Sequence, residues 1–594
     1  MVLFALAAAL PLALTGSFQR NLMALLTAYA IAALGLNLLV GVAGQISLGH
    51  GAFMSIGGYT TAMLSVRAGL PAWVGIIGAA LVTALVGFLL GLPALRLRGH
   101  FLALATLSFA AAIPQIAVKW EPVTGGATGI SPPRFPSGHV ADLTIPSDQV
   151  AYWTILAVLA GLSWVAHNLL GSRPGRALHA VRESEVAAQA MGVNLALAKT
   201  GIFALSALYA GVAGALATHL AGYISPSVFG LLVSFQLLAA VVVGGLGSIG
   251  GSVLGAVVVA WLPFAASRTQ GLASVVEGAG IIAIVLLLPR GLIGLWSWVV
   301  SRASWAAKAE LVFQPAASAQ LPDSRLTTRD SRPVLEVSHL SISFGGVRAL
   351  DDVSFAVNAG SIHGLIGPNG AGKTTALNCV SRFIDPSQGS IRFHGRDLLA
   401  IGPSAVASLG ISRTFQNLAL VRGASALDNV LLGSYHRLKA PAWTYALSLP
   451  NARRLEAEAR REALGLLALL ECTAAAKASV QGLPYGVQKR VELARALACG
   501  GQLLLILDEP AAGLDAAERA ALADLIRRLR ESGLTILLVE HDMGMVMTLC
   551  DRVSVLDFGR LIADGSPEEA QANPAVVAAY LGEEAGRRAE TVHA

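Results

Sequence analysis

Residues 367 to 375 read Gly367-Pro368-Asn369-Gly370-Ala371-Gly372-Lys373-Thr374-Thr375. Glycines at this spacing let the backbone curl so that successive N–H groups face one anion. Lys373 adds a point charge for β- and γ-phosphates, and the Thr374 hydroxyl is the kind of ligand Mg²⁺ takes. An apolar run, Ile362 to Ile366, precedes the loop, and a helix-like run, Ala376 to Phe383, follows it. Strand, glycine loop and helix together make a Walker A phosphate site, with the helix N-terminus adding positive charge. A second apolar run, Leu503 to Leu507, ends in Asp508-Glu509. Its composition is that of a buried parallel strand. Asp508 is suited to holding Mg²⁺, and Glu509 to orienting or deprotonating an attacking water. A third run, Thr535 to Val539, ends at Glu540-His541-Asp542. A histidine at the C-terminal end of such a strand faces the ligand crevice and reaches a γ-phosphate.

These groups need a sheet to bring them together, and the surrounding sequence supplies one. From Val334 onward, Leu335-Glu336-Val337, Leu340 to Phe344 and Val353 to Val357 read as strands. Phe344, ahead of the glycine loop, is either a base-stacking ring or a core aromatic. Gln416 lies in Arg413-Thr414-Phe415-Gln416-Asn417, and Asp515 closes Ala512-Gly513-Leu514-Asp515. Between them runs Leu483-Pro484-Tyr485-Gly486-Val487-Gln488-Lys489-Arg490-Val491-Glu492-Leu493-Ala494-Arg495.

The rest of the chain has another character. Its 594 residues are 55% hydrophobic and 13% charged, with mean hydropathy +0.64. No acidic residue precedes Glu121, yet acids are frequent after Asp323. A membrane half followed by a soluble half is the reading, with boundaries at 1–300, a linker rich in Ala, Ser and Pro at 301–333, the ATPase at 334–584 and a tail at 585–594. The net charge of +6 comes without a basic block, which suits an anionic membrane face rather than nucleic acid. Cys379, Cys472, Cys499 and Cys550 lack metal spacing and read as buried reduced thiols.

Apolar runs fall near 1–16, 21–41, 51–66, 72–93, 101–118, 151–170, 199–223, 231–245, 250–265 and 274–296. The first lacks the charged n-region of a signal peptide and reads as a membrane helix. The pair from 231 to 265 is short for the roughly 17–25 residues a crossing needs. It flanks Gly244-Gly245-Leu246-Gly247-Ser248-Ile249-Gly250-Gly251, as a tight hairpin or a re-entrant pair. An ATPase and any loop it grips are cytosolic, so an even number of crossings separates residue 198 from residue 300. About ten spans with both termini inside follow. The outer loop 119–150 is a surface for a delivering protein or a plain connector. In the cytosolic loop 171–198, Leu178, Val181, Ala188 and Met191 recur at near-helical spacing among charges. An amphipathic docking helix follows, with Glu185 and Gly192 as coupling residues, or else a solvated loop helix. Gln45, Ser47 and His50 are polar residues in an apolar stretch, which either line a substrate path or bond helix to helix.

In this order, the motifs of 334–584 resemble the ABC-transporter nucleotide-binding domain. The fold implied is a polytopic α-helical membrane domain followed by an α/β P-loop NTPase, using ATP and Mg²⁺. The resemblance implies adenine stacking by Phe344, phosphate binding from Gly367 to Thr375, and Mg²⁺ at Thr374, Gln416 and Asp508. Gln416 is implied in coupling, Glu509 and His541 in hydrolysis, and Asp515 in a loop facing a second ATPase. Leu483, Tyr485, Gly486 and Gln488 stand as the signature that contacts a partner's nucleotide, with Pro484 where a phosphate-binding serine is usual. Leu-x-Tyr-Gly-x-Gln, with Arg413 to Asn417 and Glu540 to Gly544, resembles the ATPases of branched-chain (hydrophobic) amino acid uptake. Leu36 to Gly41, Gly44 to His50, Leu95 to Gly99, the 175–192 loop, Gly244 to Gly251 and Pro289 to Leu292 resemble the matching permease. The chain therefore resembles a fusion of the two. The resemblance implies ATP-driven import across a bacterial inner membrane. It implies a periplasmic solute-binding protein and a second permease and ATPase, or a second copy of this chain. The small-molecule substrate is a hydrophobic amino acid, or urea, an amide or an aromatic acid. A membrane-tethered regulatory ATPase is the alternative of another class.

Overall fold

The computed structural model describes residues 7–9, 11, 16–95, 97, 99–140, 143–266, 273–288, 291–294, 333–501 and 504–580. The expected first span, the linker to residue 332, Arg290 and the C-terminal tail lie outside these residues or largely so. The chain forms two compact units, 1–178 with 196–309, and 179–195 with 310–594.

The first unit is helical. Its main helices are α1 (Ser17–Asn37), α2 (His50–Val66), α3 (Ala72–Ala94), α4 (His100–Lys119) and α5 (Ser147–Leu170). Then, after the loop, come α6 (Leu195–Ala221), α7 (Leu231–Gly244), α8 (Ile249–Ala266) and α9 (Ala273–Leu287). Among the described residues, five helices are long and apolar enough to cross a membrane: α1 with its extension to Val42, α3, α4, α5 and α6. Helices α1 and α6 are mostly buried, whereas α3 and α4 expose Leu81, Leu85, Leu89 and Leu104. An exposed apolar face of this kind suits lipid. Small residues let the backbones close up: a Cβ on Gly214 would lie 2.0 Å from the Met54 carbonyl oxygen, and one on Gly244 would lie 1.9 Å from that of Gly251. The 231–265 stretch is a pair of helices, and the 14 residues of α7 rise only about 21 Å.

The second unit is α/β. Strands β1 (Pro333–Phe344), β2 (Val347–Asn358), β4 (Gln388–Phe393) and β5 (Arg396–Asp397) form an antiparallel sheet in the order β2-β1-β4-β5. The expected strands 335–337 and 340–344 are one strand, because a register shift absorbs Ser338 and His339, the latter at φ 53°. The larger sheet holds β3 (Ile362–Ile366), β6 (Ile411–Arg413), β7 (Leu504–Asp508), β8 (Ile536–Val539), β9 (Arg552–Asp557) and β10 (Arg560–Gly565). Its order is β10-β9-β3-β8-β7-β6, parallel except for the β9–β10 pair. Strands β3, β7 and β8 are buried throughout, as their unbroken apolar runs require. All three end on the same side, which places residues 367, 509 and 540–541 at one edge.

Candidate active site

The glycine loop leaves β3 and enters α10 (Lys373–Val380). Gly367 and Gly372 have φ of 147° and 101°, and a Cβ on Gly367 would lie 2.0 Å from the Leu556 carbonyl oxygen. No other residue fits there. Buried Lys373 crosses its own loop, Nζ donating to the carbonyls of Gly367 and Pro368. Thr374 is exposed at the head of the helix. Phe344 is 48% exposed at the end of β1, so it is not a core aromatic.

The three groups from separate segments meet at Glu509. Gln416 Nε2 donates to Glu509 Oε2 at 3.0 Å, and His541 Nδ1 lies 3.9 Å from the same oxygen. Glu509 has φ 45°, a conformation non-glycine residues rarely hold. Its N–H donates to the Val539 carbonyl at 2.9 Å, which fixes the turn after the strand. Beside it, Glu540 is almost fully buried and accepts from the Ala511 N–H at 2.8 Å and the His541 N–H at 3.2 Å. Burial raises its pKa.

Asp508 is held by Arg413, Nη2 to Oδ2 at 2.8 Å, with both side chains about 5% exposed or less. Arg413 Nη1 also donates to Asn378 Oδ1 and Ser381 Oγ, and the guanidinium lies 5.9 and 5.5 Å from the ring centroids of Phe383 and Phe415. Burial lowers the pKa of Arg413, and the Asp508 charge opposes that.

The signature segment starts α11 (Tyr485–Leu497), with Pro484 as an N-cap that supplies no side-chain bond. Leu483 is buried, Tyr485 is exposed, and Gln488 Nε2 folds back to the Leu483 carbonyl at 2.8 Å. A Cβ on Gly486 would lie 2.3 Å from Glu518 Oε1. Asp515 caps α12 (Ala516–Glu531) in a capping box with Glu518. The side of α11 braces the Gln416 segment: Glu492 Oε1 accepts from Phe415 N–H, and Arg495 Nη1 donates to the Ala419 carbonyl. Arg413, Glu492, Arg495 and Glu540 escaped the sequence reading as site residues. Each lay inside a motif quoted for its neighbour, and buried charge was the missed signal.

Residues 179–195 belong to the ATPase unit. A short helix, Glu185–Ala190, is N-capped by Ser184. Met191 is fully buried, its Sδ 3.9 Å from Cys499 Sγ, and a Cβ on Gly192 would lie 2.8 Å from His436 Cβ. The segment thus packs beside Cys499, His436 and Ala407. All four cysteines are buried, and burial pushes Cys379 and Cys472 up to about 11 and Cys499 and Cys550 up to about 12.

In the helical unit, Ser47 and His50 are fully buried, and His50 Nε2 bonds Ser206 Oγ at 2.7 Å, tying α2 to α6. Gln45 is buried and its Oε1 has no hydrogen-bond partner among the described residues. Asn37 clamps the Gly244–Gly251 turn, with Nδ2 to Ser248 O and Ser252 Oγ and Oδ1 from Gly247 N–H.

Comparison with known families matches residues 19–288 to the branched-chain amino acid transport system permease component. Residues 350–512 match the ABC transporter model and 560–586 the branched-chain amino acid ATP-binding cassette transporter model. The high-affinity branched-chain amino acid transport ATP-binding protein BraF of Pseudomonas aeruginosa is 41% identical over 254 residues, which cover 43% of this chain and 99% of that relative. The chain belongs to the branched-chain amino acid ABC transport family. The corresponding protein LivG of Salmonella typhimurium is 40% identical over the same shares, and that of Escherichia coli 39%. Permease and ATPase, matched separately, are fused here in one polypeptide. In this ABC transporter, ATP hydrolysis is coupled to transport, the apolar helices make it a membrane protein, and its ATPase domain is cytosolic.

Proposed function

We propose that this chain is half of an importer that takes branched-chain or other hydrophobic amino acids across the bacterial inner membrane. A periplasmic binding protein delivers the solute, and about ten spans form the permease half. The observation that carries the catalytic part is the convergence of Gln416 and His541 on Glu509. Glu509 takes a proton from the attacking water, Gln416 orients the carboxylate, and His541 bonds the γ-phosphate. Lys373 and the loop N–H groups hold the phosphates, and Phe344 stacks on the base. Thr374, Asp508 and Gln416 offer oxygen donors of the kind Mg²⁺ prefers, and Arg413 occupies only one Asp508 oxygen. When bound, the ion neutralises phosphate charge. One chain holds one phosphate loop and one signature, so a second ATPase completes each site. A mixed assembly suits Pro484, because one altered signature is then paired with an unaltered one. Uptake of labelled leucine by proteoliposomes holding the transporter purified from its native membrane, with its binding protein, tests the reading. ATP-dependent accumulation is expected. Hydrolysis without uptake of any amino acid would favour a regulatory ATPase instead.

A further inference from the structure

The helical unit contains a cavity of about 380 Å³ with one cation and one anion on its wall. We propose that it binds the α-amino acid zwitterion, Arg134 taking the carboxylate and Asp148 the ammonium. This rests on the import reading above and names the place where the solute is held.

The volume is in the range of small-molecule sites, roughly 300–1,000 Å³. Arg134 is exposed at the mouth of the cavity, and its stem is fixed there. Its Nε donates to the Ala221 carbonyl at 3.2 Å. Its stem lies on Gly222, at φ 70°, where a Cβ would come within 2.7 Å of Arg134 Cγ. Buried His219 holds both neighbours, with Nδ1 2.8 Å from the Pro133 carbonyl oxygen and its ring edge-on to Phe135. The two Nη groups have no other partner among the described residues, and their planar fork matches a carboxylate. Asp148 opens α5 and is 6% exposed. Its Oδ2 accepts from Arg20 Nε and its Oδ1 from the Gln149 N–H, both at 2.9 Å, the Ser17 hydroxyl also bonds the carboxylate, and one acceptor position is left for an ammonium. Arg20 balances Asp148, so Arg134 is the surplus charge and the carboxylate is the end the cavity demands. Leu22, Leu25, Leu220 and Phe264 supply an apolar wall for a branched side chain. Burying a zwitterion is costly unless both ends are matched, and this chamber matches both.

The native thiols are buried, so a cysteine introduced at Asn21 or Phe18 on the cavity wall reports alone. Full-length Asn21→Cys and Phe18→Cys chains are treated with a maleimide in lipid nanodiscs. Saturating leucine should slow modification about tenfold, as for a site about nine-tenths occupied. Isopentylamine and 4-methyl-2-oxopentanoate, each lacking one charge, should not. Adding Arg134→Gln should remove the protection while leaving the rate without ligand unchanged. Leucine slowing neither reporter, while the wild-type transporter takes up leucine, would overturn this site and leave the import reading standing. Equal protection by the oxoacid would overturn the role of Asp148. Wild-type transporter that hydrolyses ATP but accumulates no amino acid would instead overturn the import reading.

Discussion

Arg413→Ala is the most informative single change in the ATPase unit. It leaves Asp508, 3% exposed, as a buried charge without its counter-ion, and removes the guanidinium that lies beside the stacked rings of Phe383 and Phe415. Breaking one half of a buried pair costs about 3–5 kcal/mol. For a domain of this size each kcal/mol moves the midpoint by about 2–4 °C, so the ATPase transition should fall by about 6–20 °C. Arg413→Lys should lose less, because charge is kept while the fork to Asn378, Ser381 and Asp508 is not. Arg413→Met combined with Asp508→Asn should recover more than half of the loss, since no charge then stays buried. Scanning calorimetry of the full chain in detergent reads all three. If Arg413→Ala melted with the wild type, the pair would carry no stability and the account of Asp508 would be wrong.

Four further outcomes are expected. Glu509→Gln should bind ATP normally and lose roughly 10²–10⁴-fold in hydrolysis, whereas Lys373→Ala should weaken binding itself; a phosphate-release assay and nucleotide titration check both. Glu185→Lys should leave basal hydrolysis intact and lower solute moved per ATP; an unchanged ratio would remove the 185–192 segment from coupling. For Glu540, burial raises the folded pKa, so the stability this group contributes is lost as pH rises from the ordinary carboxylate range through the raised value. Glu540→Gln does not titrate, and its urea midpoint should gain on the wild type over that window; a constant difference would refute it.

Much of the ATPase site was legible because its parts are local. Gly367 to Thr375, Asp508-Glu509 and His541 each follow a run too apolar to be anything but a buried strand, and parallel pairing brings the strand ends together. Arg413 and Glu492 give no such signal, because nothing local shows that a charged side chain is buried. Where the 185–192 segment packs was also hidden. Helical spacing shows that Ala188 and Met191 share a face, but not that Cys499 and His436 meet it. The chamber at Arg134 and Asp148 draws its wall from residues as far apart as Ser17 and Phe264, beyond any pattern read along the chain.

The brace between α11 and the Gln416 segment has a kinetic consequence. Glu492 and Arg495 grip Phe415 and Ala419 with buried, charge-assisted bonds, so the helix carrying the signature and the loop carrying Gln416 move as one body. Arrival of a second ATPase against Tyr485 and Gly486 and a shift of the Gln416 segment are then not successive events. A stopped-flow trace from a probe on either element should show one relaxation with one rate constant, and no lag between the two.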